Sequence, residues 1–373
     1  MTPRALVRWT TGWRLLALVA LAAVAQRLMT LTVMGAYSGW HRLPRLLMTW
    51  DAGWYREIVE SGYQLATPGH EKSNLAFFPL FPALAKLVTF VPGAGPGFAL
   101  LGIAFVASIV AAIPIFLIGR QLHSPAVGWI LTLMWGALPQ SFVLVMGYPE
   151  GLFTAATAFA LWYMIRRQPL GAGAAALVAG LLRPSALPLI AVVMVWCLVH
   201  VWRDQRRWRW VVGGLLAPSG MAAYLVYVTL RTGELTGYFQ VQSHWNLRFG
   251  KPWELLSQSI HYLTTPTTML VAIEFYIPIV AAFAALTVLL AGRVRQKDYG
   301  WIVLYTVLSS AMILTRSTFF WSESRQFLPL FPLLLPLATI RTSRWAWALV
   351  LIGATFASAA FGATFLLAGQ YSV

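Results

Sequence analysis

Long apolar runs recur along this 373-residue chain, and they constrain its fold more than any other feature. A helical run of about 20 apolar residues can cross the ~30 Å hydrocarbon core of a bilayer. The chain is 59% hydrophobic and only 10% charged, whereas soluble proteins carry about 25% charged residues. The runs therefore predict an all-α, polytopic membrane protein.

About eleven segments are predicted to span the membrane, at 14–33, 98–118, 126–146, 151–165, 170–182, 186–202, 211–230, 271–291, 300–315, 326–340 and 345–368. With the N-terminus inside, alternation brings 15 of the 27 Lys and Arg residues to short inner loops, as the positive-inside rule requires. The basic residues at these inner turns are Arg4, Arg8, Arg14, Arg120, Arg166, Arg167, Arg203, Arg206, Arg207, Arg209, Arg293, Arg295, Lys297, Arg341 and Arg344.

This topology holds only if residues 74–92 do not cross the membrane. Their prolines and Lys86 indicate a short helix at the outer interface, with Phe77 and Phe81 in lipid. Residues 1–373 then form one transmembrane domain, with 34–97 as an outer loop carrying interfacial helices. The N-terminal run also resembles a signal peptide, although its apolar stretch continues to about Gly35, which favours an uncleaved span.

The net charge of +16 indicates nucleic acid binding in a soluble protein, but here the basic residues lie at membrane helix ends, so no nucleic acid partner is predicted. Cys197 is the only cysteine, which excludes a disulfide framework. The chain contains no nucleotide-binding fingerprint. Nine of the eleven acidic residues fall on or near the outer side, so any chemistry is predicted at the extracytoplasmic face. The composition of the chain predicts a bacterial plasma membrane.

Asp51 is the first candidate for chemistry. It begins the helix-like run WDAGWYREIVESG, so it can act as an N-cap, as a catalytic carboxylate, or as both. Glu150, in GYPEG, is either a half-buried functional acid or a charge favoured by a helix N-terminus. Arg183, in GLLRPSALPL, is either the turn of a helical hairpin or a buried anion ligand.

A second cationic stretch, RSTFFWSESRQFLPLFP, contains Arg316, Glu323 and Arg325. Its arginines suit a phosphate, which guanidinium groups bind bidentately. Alternatively, Glu323 and Arg325 form a surface ion pair. His244, in QSHWNLRFG, is a weaker candidate, because a single histidine in a loop is usually only solvated.

Several short motifs resemble those of the GPI mannosyltransferase II (PIG-V) family, in the GT-C superfamily of multi-spanning glycosyltransferases. The resemblance extends from about residue 40 to residue 335. The matching residues are Trp50-Asp51, Gly62-Tyr63, AFFPLFP at 76–82, GYPEGLF at 147–153 and RQFLP at 325–329.

The resemblance implies a polyprenyl-phosphate mannose donor, inverting transfer on the outer face, and Asp51 as the catalytic base. Arg325 and Arg183, with Arg316, then become the expected ligands of the donor phosphate. The residues expected to contact sugar or acceptor are Trp50, Trp54, Tyr63, Asn74, Glu150, His244 and Glu323, with Trp321 as a second stacking aromatic. The expected partners are the donor, a lipid or glycan acceptor, and membrane lipids.

Pro149 departs from the family, which usually has Ser there, and nothing in the chain indicates a GPI acceptor. No D-x-D pair accompanies Asp51, so neither a metal nor another cofactor is predicted. Two alternatives remain open at this point. A lipid or sugar transporter would place Arg183 and Glu150 along a pathway, and a non-catalytic scaffold would use Asp51 only as a helix cap.

Overall fold

The computed structural model describes residues 3–65, 72–245, 248–249, 257, 261, 280–286, 288–289, 299–317 and 324–368. Within these residues the fold is all-α except for one antiparallel pairing of β1 (Arg248–Phe249) with β2 (Arg316–Ser317). The α-helices are α1 (Pro3–Ser38), α2 (Leu43–Leu46), α3 (Asp51–Ser61), α4 (Leu80–Val88), α5 (Pro96–Leu122), α6 (Pro125–Gly136), α7 (Glu150–Ile165), α8 (Pro169–Gly180), α9 (Leu187–His200), α10 (Arg207–Thr232), α11 (Gly237–Ser243), α12 (Tyr299–Leu314), α13 (Leu335–Ala338) and α14 (Arg344–Ala368). Segments of 3₁₀ helix lie at Asn74–Ala76, Pro139–Val145, Pro184–Ala186 and Ser324–Leu334.

Four helices in the described part of the chain are long and apolar enough to cross a bilayer alone. They are Gly12–Ser38 within α1, α5, α10 and Arg344–Leu367 within α14, at 24 to 27 residues each. A rise of 1.5 Å per residue makes the shortest about 36 Å long. The shorter apolar helices α7, α8, α9 and α12 match four further predicted segments. The predicted polytopic, all-α membrane fold is thus confirmed, while the predicted segment 271–291 lies mostly outside the described residues.

Two predicted spans are not continuous α-helices. The segment 126–146 breaks after α6 and bends by 79° into the 3₁₀ turns of Pro139–Val145. The segment 326–340 is a 3₁₀ stretch with Pro329 and Pro332 inside it, followed only by the four residues of α13. Both segments are interrupted for the same reason: proline has no backbone N–H and its ring clashes with the preceding turn.

The bend after α6 is stabilised by Arg27, which lies within the first long helix and is fully buried. Its guanidinium donates to the backbone carbonyls of Gly136 and Ser141, each at 3.3 Å, and lies over the Trp135 ring at 5.7 Å. A broken helix leaves carbonyls without intrahelical partners, and such groups are costly in an apolar interior. We therefore assign this intramembrane arginine to the architecture of the bend.

The predicted outer loop, residues 34–97, places α3 against α4, the helix predicted within 74–92. At nine residues, α4 is about 13 Å long and too short to span a bilayer. The prediction that Phe77 and Phe81 face lipid was wrong, because they are 9% and 0% exposed. Each ring meets Tyr55 of α3 edge-on with centroids 5.1 Å apart. These aromatic contacts fix the direction of α3.

Helices α8 and α10 approach so closely that their contact admits only glycine. A Cβ on Gly173 would lie 2.2 Å from the carbonyl oxygen of Gly213, and a Cβ on Gly213 would lie 2.4 Å from that of Pro169. Small residues at such contacts let transmembrane helices pack backbone to backbone. The substitution Gly173→Ala must therefore separate the two helices.

We expect Gly173→Ala to destabilise the protein by about 1–3 kcal/mol, the usual cost of overpacking. The matched control is Gly214→Ala in α10, whose Cβ would first meet Cys197 at an ordinary 3.4 Å. Thermal unfolding in detergent should show a lower midpoint for the first variant and an unchanged or higher midpoint for the second. Equal midpoints for both variants would contradict the close packing of the helices.

Candidate active site

Asp51 is the first residue of α3, and a strained residue precedes it. Trp50 occupies the N-cap position with φ 53° and ψ −117°, a region that residues with a Cβ seldom adopt. Such backbone strain costs about 1–3 kcal/mol and is concentrated at functional sites. The predicted capping role of Asp51 was wrong, because the helix has Trp50 at its N-cap and no side-chain capping bond.

A second loop holds the start of α3 in place. The backbone N–H of Gly147 donates to the carbonyl of Leu47 at 3.1 Å, and the Tyr148 hydroxyl donates to that of Thr49 at 3.4 Å. A Cβ on Gly147 would lie 2.8 Å from the sulfur of Met48, so glycine is needed for this approach. The contact brings the loop before α7, and with it Glu150, beside Asp51.

Four charged side chains meet at this place and form a charge cluster, defined here as Asp51, Glu150, Arg183 and Arg325. Arg325 donates through Nη2 to the Asp51 carboxylate, and its Nε lies 3.5 Å from Oε1 of Glu150. Arg183 donates through Nη1 to the same Glu150 oxygen. The sequence predictions named all four residues as site candidates, and the structure brings all four together.

Burial differs across the charge cluster in a way that matters for chemistry. The side chain of Glu150 is 1% exposed and that of Arg325 is 8% exposed, while that of Asp51 is 25% exposed. Asp51 is therefore the member that a ligand can reach most readily. Burial lowers the pKa of the Arg325 guanidinium, but the Asp51 and Glu150 carboxylates outweigh that effect and raise the pKa above the ordinary arginine value. Arg325 stays charged.

The charge cluster also has unused hydrogen-bonding capacity. Among the described residues, the buried Nη1 of Arg325 finds no acceptor, and the buried Oε2 of Glu150 finds no donor. Buried polar atoms without partners cost about 1–3 kcal/mol each. An anion beside Arg325 would satisfy the unpaired N–H groups, so the arrangement is suited to a ligand that carries negative charge.

The Arg325 guanidinium lies over the ring of Tyr148, with Cζ 4.9 Å from the ring centroid. The site predictions assigned Tyr148 no role, although it stands within the GYPEGLF motif at 147–153. Its ring supplies a cation–π contact in a buried setting, where such contacts contribute about 2 kcal/mol. Tyr148 therefore holds the guanidinium of Arg325 against the carboxylates.

Trp50 and Trp54, both predicted to contact sugar, are half-buried beside aromatic neighbours. The Trp50 ring lies 5.8 Å from Phe365 of α14. Trp54 stacks on Phe77 at 6.1 Å and meets the edge of Trp245 at 5.0 Å. These contacts fix both indoles on or next to the first turn of α3, where the carboxylate of Asp51 also lies.

Tyr63 and Asn74 hold the outer loop together. The Tyr63 hydroxyl donates to the carbonyl of Phe77 at 2.9 Å. The Asn74 amide accepts from the N–H of Gln64 at 2.8 Å and donates to the carbonyl of Gly62 at 3.2 Å. The polar groups of Tyr63 and Asn74, which were predicted to position sugar hydroxyls, are therefore hydrogen-bonded within the loop. The structure does not bring either residue into the charge cluster.

The remaining predicted site residues lie elsewhere or outside the described residues. His244 is exposed at the end of α11, where its Nδ1 bonds the carbonyl of Gln240 at 2.8 Å. The backbone of Arg316 lies in β2, whereas Glu323 and Trp321 lie outside the described residues. The Arg325 guanidinium is buried against Asp51 and is not exposed at a surface. Across the described part of the chain, no three His, Cys, Asp or Glu side chains group together as metal ligands would.

Comparison with solved structures finds proteins that share the overall fold of this chain. The structure of ArnT from Cupriavidus metallidurans bound to undecaprenyl phosphate matches 92% of the chain with a TM-score of 0.57 and 17% identity. Its apo state matches with a TM-score of 0.56 and 18% identity. An oligosaccharyltransferase from Archaeoglobus fulgidus matches 93% of the chain with a TM-score of 0.52 and 12% identity. The fold is GT-C-like.

The chain spans 63% of the length of both ArnT structures and 53% of the oligosaccharyltransferase. Comparison with models of known families finds no match, and neither does comparison with curated protein sequences. At such low identity the structural likeness establishes the scaffold alone. It agrees with the fold that the motif resemblance implied, and it does not show the PIG-V family.

Proposed function

We propose that the chain is an inverting glycosyltransferase that moves mannose, or a similar hexose, from a polyprenyl-phosphate donor to an acceptor hydroxyl at the outer membrane face. The observation that carries the proposal is the bridge that Arg325 makes between Asp51 and Glu150, with Nη1 free to receive an anion within the described part of the chain. The similarity to an ArnT structure that holds undecaprenyl phosphate supports the choice of donor.

The proposed reaction is a single displacement. The acceptor oxygen attacks the anomeric carbon, and the bond from that carbon to the phosphate oxygen breaks with its electron pair on the phosphate. The Asp51 carboxylate takes the hydroxyl proton, which contributes about 10²–10⁴-fold to the rate. The products are a glycosylated acceptor, a polyprenyl phosphate and a protonated Asp51, which returns its proton to solvent because its side chain is 25% exposed.

Arg325, assisted by Arg183, receives the negative charge that grows on the leaving phosphate. Fixed cations stabilise such charge most strongly in sites that exclude water, because the low dielectric strengthens the attraction. Glu150 holds the two guanidiniums next to each other through its buried Oε1. We assign Glu150 this positioning role and leave Trp50 and Trp54 as the aromatic surfaces for the sugar.

The test is direct. Purified protein is incubated with polyprenyl-phosphate mannose and crude membrane lipids, and the products are analysed by mass spectrometry. A new hexosylated species, together with release of polyprenyl phosphate, is the expected result. Vesicles prepared from the same protein measure movement of the donor across the bilayer. Movement without any hexosylated product would overturn the proposal in favour of a transporter.

A further inference from the structure

A second cationic site lies at the far end of α7 from the charge cluster. Glu150 begins the 16-residue α7 and Arg167 lies two residues beyond its last residue, so the length of the helix separates the two places by about 24 Å. A cavity of about 500 Å³ opens there between the ends of α7, α9 and α12. Because of this distance, the cavity is separate from the proposed active site.

The cavity combines cationic and apolar walls. Arg167, His200 and Arg203 supply its basic groups, while Val199 and Leu304 supply apolar surface. Val199 is 40% exposed, so the wall continues onto the outer surface of the helices. None of the described residues that line the cavity is acidic. Such a combination suits a ligand with a negative head and an apolar body.

The backbone at Arg167 caps the end of α7, with its N–H donating to the carbonyl of Met164 at 3.0 Å. Arg167 has φ 54° just after the end of α7, the left-handed position that glycine usually fills at a helix C-terminus. A side chain there costs about 1–2 kcal/mol relative to the right-handed region. Enrichment of basic residues at inner helix ends explains a positive charge here, but it does not explain the cavity.

The histidine in the cavity is held in a fixed orientation. His200 Nδ1 lies 2.8 Å from the carbonyl of Trp196 and must donate to it, because a carbonyl only accepts. Its ring stacks on Trp210 with centroids 5.1 Å apart, and Trp301 of the cavity wall lies 6.1 Å away. The bond at Nδ1 leaves Nε2 available to a ligand.

We propose that this cavity binds the phosphate-bearing headgroup of an anionic glycerophospholipid, with the acyl chains along the exposed apolar surface beside Val199. Basic pockets between the ends of transmembrane helices are known to bind anionic lipid headgroups. Arg167 and Arg203 would bind the phosphate oxygens, since guanidinium groups match phosphate geometry. A bound lipid would link the ends of α9 and α12.

Lipid binding can be tested on delipidated protein in detergent, by thermal unfolding and native mass spectrometry with phosphatidylglycerol or phosphatidylcholine. Phosphatidylglycerol should raise the unfolding midpoint by several degrees and remain bound, whereas phosphatidylcholine should not. The variant Arg203→Gln should lower the affinity for phosphatidylglycerol about tenfold, as expected for one charge-assisted hydrogen bond. The matched control is Arg120→Gln, which removes an exposed arginine in the last turn of α5 that does not line the cavity.

A second variant leaves the charge unchanged. Gly300→Leu adds a side chain in the cavity wall, where a Cβ meets nothing within 4 Å, and it should exclude the lipid without disturbing the fold. Equal loss in Arg203→Gln and Arg120→Gln would show diffuse surface attraction and overturn the proposal. So would full lipid binding by Gly300→Leu. Glycerol 3-phosphate is added alone as a further arm, and a midpoint shift equal to that of the lipid would identify a soluble phosphate ligand instead.

Discussion

Replacing Asp51 by Asn is expected to lower the rate of sugar transfer by about 10²–10⁴-fold, because the group that takes the acceptor proton becomes an amide. The same substitution should tighten the binding of polyprenyl phosphate. The charge cluster contains two carboxylates and two guanidiniums, and the Asp51 carboxylate occupies Nη2 of Arg325. Without the Asp51 charge, the cluster gains a net positive charge and Arg325 is released to the phosphate.

We expect the affinity of Asp51→Asn for polyprenyl phosphate to rise about tenfold, since a unit charge a few ångströms away contributes more than about 1 kcal/mol at a dielectric of 20. Transfer is measured with radiolabelled donor, and lipid binding by displacement of a fluorescent polyprenyl phosphate. The matched control is Glu60→Gln, an exposed acid of the same helix that pairs with Arg56. Both quantities should stay at wild-type values in the control.

The opposite results are equally informative. Transfer at the wild-type rate in Asp51→Asn would exclude Asp51 as the base, and weaker lipid binding would exclude its competition with the phosphate. The unfolding midpoints of Asp51→Asn and Asp51→Ser should fall only slightly, because no side-chain capping bond is lost and the Arg325 guanidinium keeps Glu150 as a partner. A large fall in both midpoints would show that Asp51 has mainly a structural role.

Replacing Arg325 by Gln is expected to weaken the binding of polyprenyl phosphate by about 10–100-fold, because a hydrogen bond to a charged group contributes about 1.5–3 kcal/mol. The variant also leaves Asp51 and the buried Glu150 with one cation fewer. Loss of one partner from a buried ion pair costs about 3–5 kcal/mol, so the unfolding midpoint should fall as well. Arg325→Lys keeps the charge but loses the forked geometry, and it should recover only part of the affinity.

The control for Arg325 is Arg231→Gln, which removes an exposed arginine that donates to the carbonyl of Tyr63 at 3.1 Å. It should leave lipid binding unchanged. The double variant Asp51→Asn with Arg325→Gln then tests whether the two residues act on the phosphate together. Most of the affinity gained by Asp51→Asn should disappear in the double variant, because that gain depends on the released guanidinium. Strictly additive effects would contradict this coupling.

Most of the long helices could be predicted from apolar run length, because α5, α10 and α14 are each longer than a bilayer core needs. The breaks at 126–146 and 326–340 were missed because hydropathy measures composition and is insensitive to proline within an apolar run. Arg27 was likewise missed as a partner of the bend. Its role depends on carbonyls that become exposed only once the helix has broken.

The members of the charge cluster could be named from the sequence, because charged residues are scarce in this chain and those in short motifs stand out. Their pairing could not be predicted, since nothing in the sequence relates Asp51 to Arg325 rather than to Arg183. For Tyr63 and Asn74, the sequence suggested a role that differs from the contacts that the side chains make. Their motifs suggested ligand binding, whereas their hydrogen bonds reach backbone groups of the same loop.

The ion pair between Arg325 and Asp51 joins residues that are 274 positions apart. During synthesis, a chain that ends before residue 325 therefore lacks the guanidinium that pairs with its Asp51 carboxylate. Nascent chains still threading into the bilayer would carry the carboxylate but no partner for it or for a donor phosphate. The proposed activity is thus withheld until residue 325 has been synthesised, and products that end before it would be inert.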